Sequence, residues 1–224
     1  MQREFHGIDL QKASSEKEGS NMLKLLVKAP KTFWTVGLVQ FFSWAAFLYM
    51  WNYTNGAIAV NCWGVDTNVA GYAATAGYQD AGNWVGIVFA VQAIGSILWA
   101  LVIPRFRNLK TAYVVSLLIG AVGFASIMFI HDQYLLFVSY FLVGAAWAAM
   151  LALPFTLLTN ALEGSAHMGT YLGLFNGTIC IPQIVAALLG GTVLSLVGDS
   201  QPAMFMVAGG LLLLGALSVS LIRK

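Results

Sequence analysis

Residues 169–183 read GTYLGLFNGTICIPQ, a fifteen-residue stretch without a single charge. Glycines recur every fourth position, at Gly169, Gly173 and Gly177. On a helix they fall along one narrow stripe, where a neighbouring helix can approach closely. Asn176 and Gln183 stand seven residues apart on another side and are therefore nearly in register. Pro182 lacks a backbone donor and can bend the helix at that level. A segment that is smooth on one side, polar on another and bendable suits the wall of a moving cavity.

The solvent around such a helix follows from composition. The 224 residues are 59% hydrophobic and only 9% charged, with a mean hydropathy of +0.78. Soluble domains carry about 25% charged residues. This chain cannot present a water-compatible surface, and an integral membrane protein is expected. Six apolar spans are predicted near residues 33–58, 83–104, 111–130, 134–158, 169–197 and 202–222. Each reaches the ~20 residues needed to cross the hydrocarbon core as a helix. Runs this long and continuous do not alternate as a barrel strand does. The fold class is therefore an all-α membrane bundle of six transmembrane helices.

Residues 1–32 form a hydrophilic tail. Within it, residues 20–29 place Lys24 and Lys28, with Lys31 beyond, opposite Met22, Leu25, Leu26 and Ala29, and Ser20 or Asn21 could cap a helix there. An interfacial helix and an unstructured linker with chance periodicity both fit this pattern. The tail lacks the apolar core of a signal peptide. Cys62 and Cys180 read as two unrelated thiols rather than a disulfide or metal pair.

Charge placement orients the bundle. The tail carries Arg3, Lys12, Lys17, Lys24, Lys28 and Lys31, the loop 105–110 adds Arg105, Arg107 and Lys110, and the end of the sequence adds Arg223 and Lys224. The alternate loops 61–82, 131–133 and 198–201 carry no Lys or Arg but hold Asp66, Asp80, Asp132 and Asp199. Basic loops stay inside, so both termini are expected in the cytoplasm, across a cell (inner) membrane. The long loop 61–82 either covers an outer vestibule or is simply an exposed connection.

The predicted spans contain no Asp, Glu, Lys, Arg or His. Ionisable groups within a membrane mark ion and proton routes, and none is offered here. Nor do His6, His131 and His167 stand at catalytic or metal-binding spacing. These patterns argue against an enzyme and imply no cofactor, no metal and no nucleic-acid partner. Neutral amides and aromatics are present instead. Gln40, Trp44, Phe47, Trp51 and Asn55 recur at helical spacing on the first span. Gln92 lies in the second span, Trp147 in the fourth, Asn176 and Gln183 in the fifth. A cavity lined by Gln40, Trp44, Asn55, Gln92, Trp147, Asn176 and Gln183 would suit an uncharged, hydroxyl-rich solute, amides meeting hydroxyls and indoles stacking on sugar rings. The competing readings are interface anchoring for Trp51, Trp34 and Trp84, helix packing for Trp44 and Trp147, and helix–helix hydrogen bonding for the amides.

Residues 144–162, GAAWAAMLALPFTLLTNAL, followed by GTYLGLFNGTICIPQI at 169–184, resemble the sucrose- and maltose-type sugar:proton symporters of the major facilitator superfamily, close in kind to the glycoside–pentoside–hexuronide transporters. FFSWAAFLYMWNYTNGAIA at 41–59 and GNWVGIVFAVQ at 82–92 extend the likeness, which runs from about residue 22 onward and matches the C-terminal half of such proteins. The resemblance implies a neutral sugar as substrate and proton coupling. It also implies a partner, an N-terminal six-helix bundle on the same or a separate chain, which would hold the coupling carboxylates. Such transporters rock two bundles about a central site. Two departures stand out. PRFRNLK at 104–110 lacks the glycine and aspartate of the family's loop pattern, and Ala166 and His167 replace basic residues before the fifth span. Other assemblies would keep the same helices: a self-paired half giving passive flux, or a membrane interaction protein that transports nothing.

Overall fold

A computed structural model describes residues 22–222. The tail upstream, including the Ser20 and Asn21 caps, and the final Arg223 and Lys224 lie outside the described residues. The chain is an all-α bundle whose six long apolar helices make it a multi-pass membrane protein. A short helix α1 (22–27) leads into α2 (Lys31–Trp63). Then come α3 (Ala76–Val102), extended by a 3-10 turn to Arg105, α4 (Leu109–Ile127) and α5 (Leu136–Ala161). The fifth span consists of α6 (Met168–Phe175) and α7 (Gly177–Leu196), and the sixth of α8 (Ala203–Ser218) with a closing 3-10 turn.

At the junction of α2 and α3 both helices outrun the apolar runs, whereas α4 stops three residues short of its predicted end at 130. α2 continues five residues past the expected stop, and α3 starts well before the expected position 83. Gly64 ends α2 in the left-handed conformation (φ 64°), donating its N–H to the Ala59 carbonyl. Thr75 starts α3 by accepting the Tyr78 N–H. The expected loop 61–82 thus contracts to residues 64–75, with a 3-10 turn at Tyr72–Ala74 inside it. The longer helices take in Lys31, Asp80, Arg105 and Lys110 near their ends, while their interiors stay free of ionisable Asp, Glu, Lys, Arg and His.

Small residues set the packing, as expected where apolar burial alone gives helices no preference for each other over lipid. Gly95 of α3 and Gly144 of α5 cross with their backbones in contact: a methyl added at Gly144 would strike the Gln92 carbonyl and the Ser96 N–H. Side-chain bonds close the ends. Asn61 of α2 donates to the Ile127 and Met128 carbonyls at the end of α4 (2.9 and 3.3 Å), and Trp84 of α3 donates to the Gln133 carbonyl (3.1 Å). At the opposite end Lys110 donates to the Ile222 carbonyl, and the Tyr171 hydroxyl of α6 donates to the Leu25 carbonyl of α1 (3.1 Å). Leu25, Leu26 and Ala29 pack on the bundle, while Met22, Lys24 and Lys28 are exposed, so Met22 does not join the apolar side expected of it.

These end contacts gather Lys24, Lys28, Lys31, Arg105, Arg107 and Lys110 at one end and Asp66, Asp80, Asp132 and Asp199 at the other. The spans differ in burial. In its most apolar stretch 61% of α2 is buried, against 22% of the second span and 17% of the fifth. α2 is the central helix; α3 and α6–α7 are peripheral.

The opening stretch departs from expectation in two respects. The interruption falls at Asn176, where α6 gives way to α7, and not at Pro182, which sits buried inside α7. The Asn176 N–H reaches the Gly173 carbonyl and the Ile179 N–H reaches the Asn176 carbonyl, a 3-10 tightening. The glycine stripe faces no neighbour either: a Cβ built at Gly169 or Gly173 has no atom within 4 Å, and at Gly177 it meets only Ile181 of the same helix. α7 packs on α2 through another face, bearing Thr178, Pro182, Ala186 and Gly190.

Candidate polar site on the α2–α5 seam

Phe33, Gln40, Phe47 and Thr54 repeat every seven residues along α2, and all four are buried. On α5 the corresponding stripe is Tyr140, Trp147, Pro154 and Ala161. The helices run antiparallel, so one heptad up α2 is one heptad down α5. Two rungs are fixed by direct contact. Thr54 gives its own proton to the Met50 carbonyl (2.6 Å) and receives the Tyr140 hydroxyl at 3.0 Å. The Phe47 and Trp147 rings meet at 5.1 Å. Extending that register by one heptad would set Gln40 at the level of Pro154. Below these rungs Phe175 of α6 packs between Phe33 and Phe155, each at 5.5 Å.

Gln40 is the unsatisfied polar point of this seam. Its side chain is 0% exposed, and neither Oε1 nor Nε2 has a hydrogen-bond partner. One turn on, the Trp44 indole is 8% exposed and its Nε1 is equally unpartnered. Pro154 adds a third free group, because its ring nitrogen cannot donate to the Met150 carbonyl four residues back. Unpaired polar groups buried in an apolar bundle are costly, and here they are concentrated at one level of one seam.

Beside them lies an aromatic cluster. Trp147 contacts Trp44 and Trp51, both at 5.8 Å, and Phe47 closes the group. For Trp51 the sequence leaves two readings, an interface anchor or a member of the Gln40–Trp44 face. Because α2 runs on to Trp63, it lies roughly three turns inside the helix end, joined to Trp44 and half open to the outside.

Three of the seven predicted site residues, Gln40, Trp44 and Trp147, are thus brought together. Asn55 continues the same face toward the acidic end, half-buried beside Gly82 of α3, its Oδ1 unpartnered. Gln92 is buried where α3 crosses α5 at Gly144. Asn176 and Gln183 are held apart on the peripheral span. They share a face, as their spacing required, about a quarter turn from the face that packs on α2. Asn176 is exposed, whereas Gln183 Nε2 donates to the Ile179 carbonyl of its own helix at 3.1 Å. Trp99 of α3 donates to Ser116 of α4 (2.8 Å) and fastens two helices. Both cysteines are free.

Some polar groups were not singled out from the sequence. Tyr140 holds Thr54, and Tyr113 of α4 buries its hydroxyl toward Ser43 of α2. Both sit in apolar runs where a tyrosine reads as an aromatic filler. At the acidic end, the loops after α2 and α7 enclose a pocket of about 340 Å³ lined by Asp66, Thr67, Asn68, Asp199, Ser200 and Gln201. A scan of family models and a search of curated proteins find nothing that matches this chain.

Proposed function

We propose that this bundle is one wall, the C-terminal half, of a secondary transporter for a neutral sugar such as sucrose, maltose or a related glycoside. The observation that carries the reading is the level of Gln40, Trp44 and Pro154: unpaired neutral hydrogen-bonding groups beside a tryptophan cluster, in a bundle interior without a charge. Such groups match a solute that is hydroxylated and uncharged. They give no handle for moving a proton, so coupling carboxylates would belong to an N-terminal six-helix bundle working with this one by alternating access. In this reading the basic end is cytoplasmic, with both termini, in the cell (inner) membrane. Exposed Asn176, on an apolar span, faces the partner bundle or the solute path.

The test is uptake of labelled sucrose and maltose by cells producing the chain together with its N-terminal bundle, scored against surface expression. Gln40→Met, Asn176→Ala and Gln183→Ala should each lower uptake more than expression. Normal transport by all three variants would reject the assigned roles. A flux insensitive to external pH, given by the chain alone, would favour the self-paired assembly over the proton-coupled one.

A further inference from the structure

A groove runs along α2 on a face other than the Gln40 seam. Its upper part is about 460 Å³ and is lined by Lys31, Trp34, Thr35, Ser220 and Leu221. Its lower part, about 240 Å³, continues past the same Trp34 between α2 and α7, over Leu38, Phe41, Ile181 and Pro182. The chemistry changes along its length. The upper part mixes an ammonium, two hydroxyls and an indole; the lower part presents no polar side chain but Thr178, whose methyl faces Gly37.

We propose that this groove binds one anionic phospholipid with a hydroxylated headgroup, of the phosphatidylglycerol type, its phosphate on Lys31 and an acyl chain in the lower part. Length is the first argument. From Lys31 to Phe41 the helix rises about 15 Å, which is one leaflet of a ~30 Å hydrocarbon core. Charge is the second. Lys31 stands in a first helical turn without an acidic residue, and Lys110 is held close by through the Ile222 carbonyl, next to Leu221 of the groove. Hydrogen-bond polarity is the third. Thr35 already donates to the Lys31 and Thr32 carbonyls, and Ser220 to the Leu217 carbonyl. Their oxygens are left to accept, which suits the glycerol hydroxyls of a headgroup and not its phosphate. Trp34, half exposed between the two parts, sits where an indole prefers the boundary between headgroup and chain.

The experiment reconstitutes the chain in phosphatidylcholine vesicles containing a minor fraction of lipid with brominated acyl chains, either phosphatidylglycerol or phosphatidylcholine. Tryptophan quenching is then read. Brominated phosphatidylglycerol should occupy the groove about fivefold better than brominated phosphatidylcholine, the preference that one lysine near the surface confers. Lys31→Gln should bring the ratio towards one. Trp34→Phe should remove the quenching that distinguishes the two lipids, and Ile181→Trp, which fills the lower part, should remove the preference without touching the charge. Equal quenching by both lipids in the unmodified chain, or an undiminished preference in Lys31→Gln, overturns the proposal. So does a concentration-dependent dimer that protects Trp34 regardless of lipid, since the groove would then be covered by a second copy. None of these readings depends on sugar transport.

Discussion

Replacing Gln40 by methionine should make the bundle more stable and, on the proposed function, lower sugar uptake. Methionine keeps the unbranched length of glutamine while removing both polar atoms. An unsatisfied buried polar group costs about 1–3 kcal/mol, and an apolar group of the same shape carries no such penalty. Gln40 has two unpartnered atoms on a side chain with 0% exposure, so the gain should fall within that range. For a chain of this size each kcal/mol moves the thermal midpoint by roughly 2–4 °C. The measurement is thermal unfolding of purified wild-type and Gln40→Met protein in the same micelles, followed by intrinsic tryptophan fluorescence, alongside sugar uptake. A loss of about 1 kcal/mol or more on substitution would refute the reasoning. The amide would then be paired in the folded bundle, and the seam would hold a structural hydrogen bond in place of a free one. A stabilised variant that still transports normally would leave the packing argument standing and defeat the functional one.

The remaining predictions separate packed from open positions. Gly144→Ala should cost about 1–3 kcal/mol or more by forcing α5 off α3, whereas Gly173→Ala, with open space around it, should be neutral or stabilise by up to ~1 kcal/mol through helix propensity; the same unfolding assay measures both. A double-mutant cycle on Thr54→Val and Tyr140→Phe should return a coupling of about 0.6 kcal/mol, the usual size for an interhelical hydrogen bond in a membrane, and no coupling would mean the α2–α5 register is different. For orientation, in a chain whose free Cys62 and Cys180 are replaced by serine, Asp132→Cys should react with a membrane-impermeant thiol reagent added to whole cells and Arg107→Cys should not; the reverse pattern would invert the proposed topology.

The sequence made the number of spans, their helical nature and the division of charge between the ends legible, because each depends on composition over about 20 residues. Helix ends were less legible. Asn61 and Asp80 are polar, so an apolar run stops before them, yet they lie within helices whose ends are closed by local bonds: Asn61 caps α4, and Thr75, just outside α3, caps α3. The partnership of Gln40, Trp44 and Trp147 was half legible. Periodicity put Gln40 and Trp44 on one face of α2, but the contact of Trp44 with Trp147 of α5 is a matter of helix packing that spacing alone does not give. The glycine stripe misled for a related reason. Spacing shows which residues share a side of a helix and is silent on which side meets a neighbour, and the face that packs on α2 carries Thr178, Pro182 and Ala186 instead.

That distinction bears on what exposure means in this molecule. α3 and α6–α7 are largely uncovered, but lipid tails are as apolar as leucine, so exposed Ile97, Leu188 or Leu196 calls for no partner. Only a polar group facing out of an apolar span does. Asn52, one residue after Trp51, and Asn176, at the break in the fifth span, are such groups. In an isolated bundle each would turn an amide toward hydrocarbon. Facing a water-filled path or a second bundle, each would be hydrated or paired. The buried seam and these outward amides thus make separate demands. Gln40 lacks a partner inside the bundle, while Asn52 and Asn176 lack one outside it, and a solute-conducting assembly with a second wall meets both.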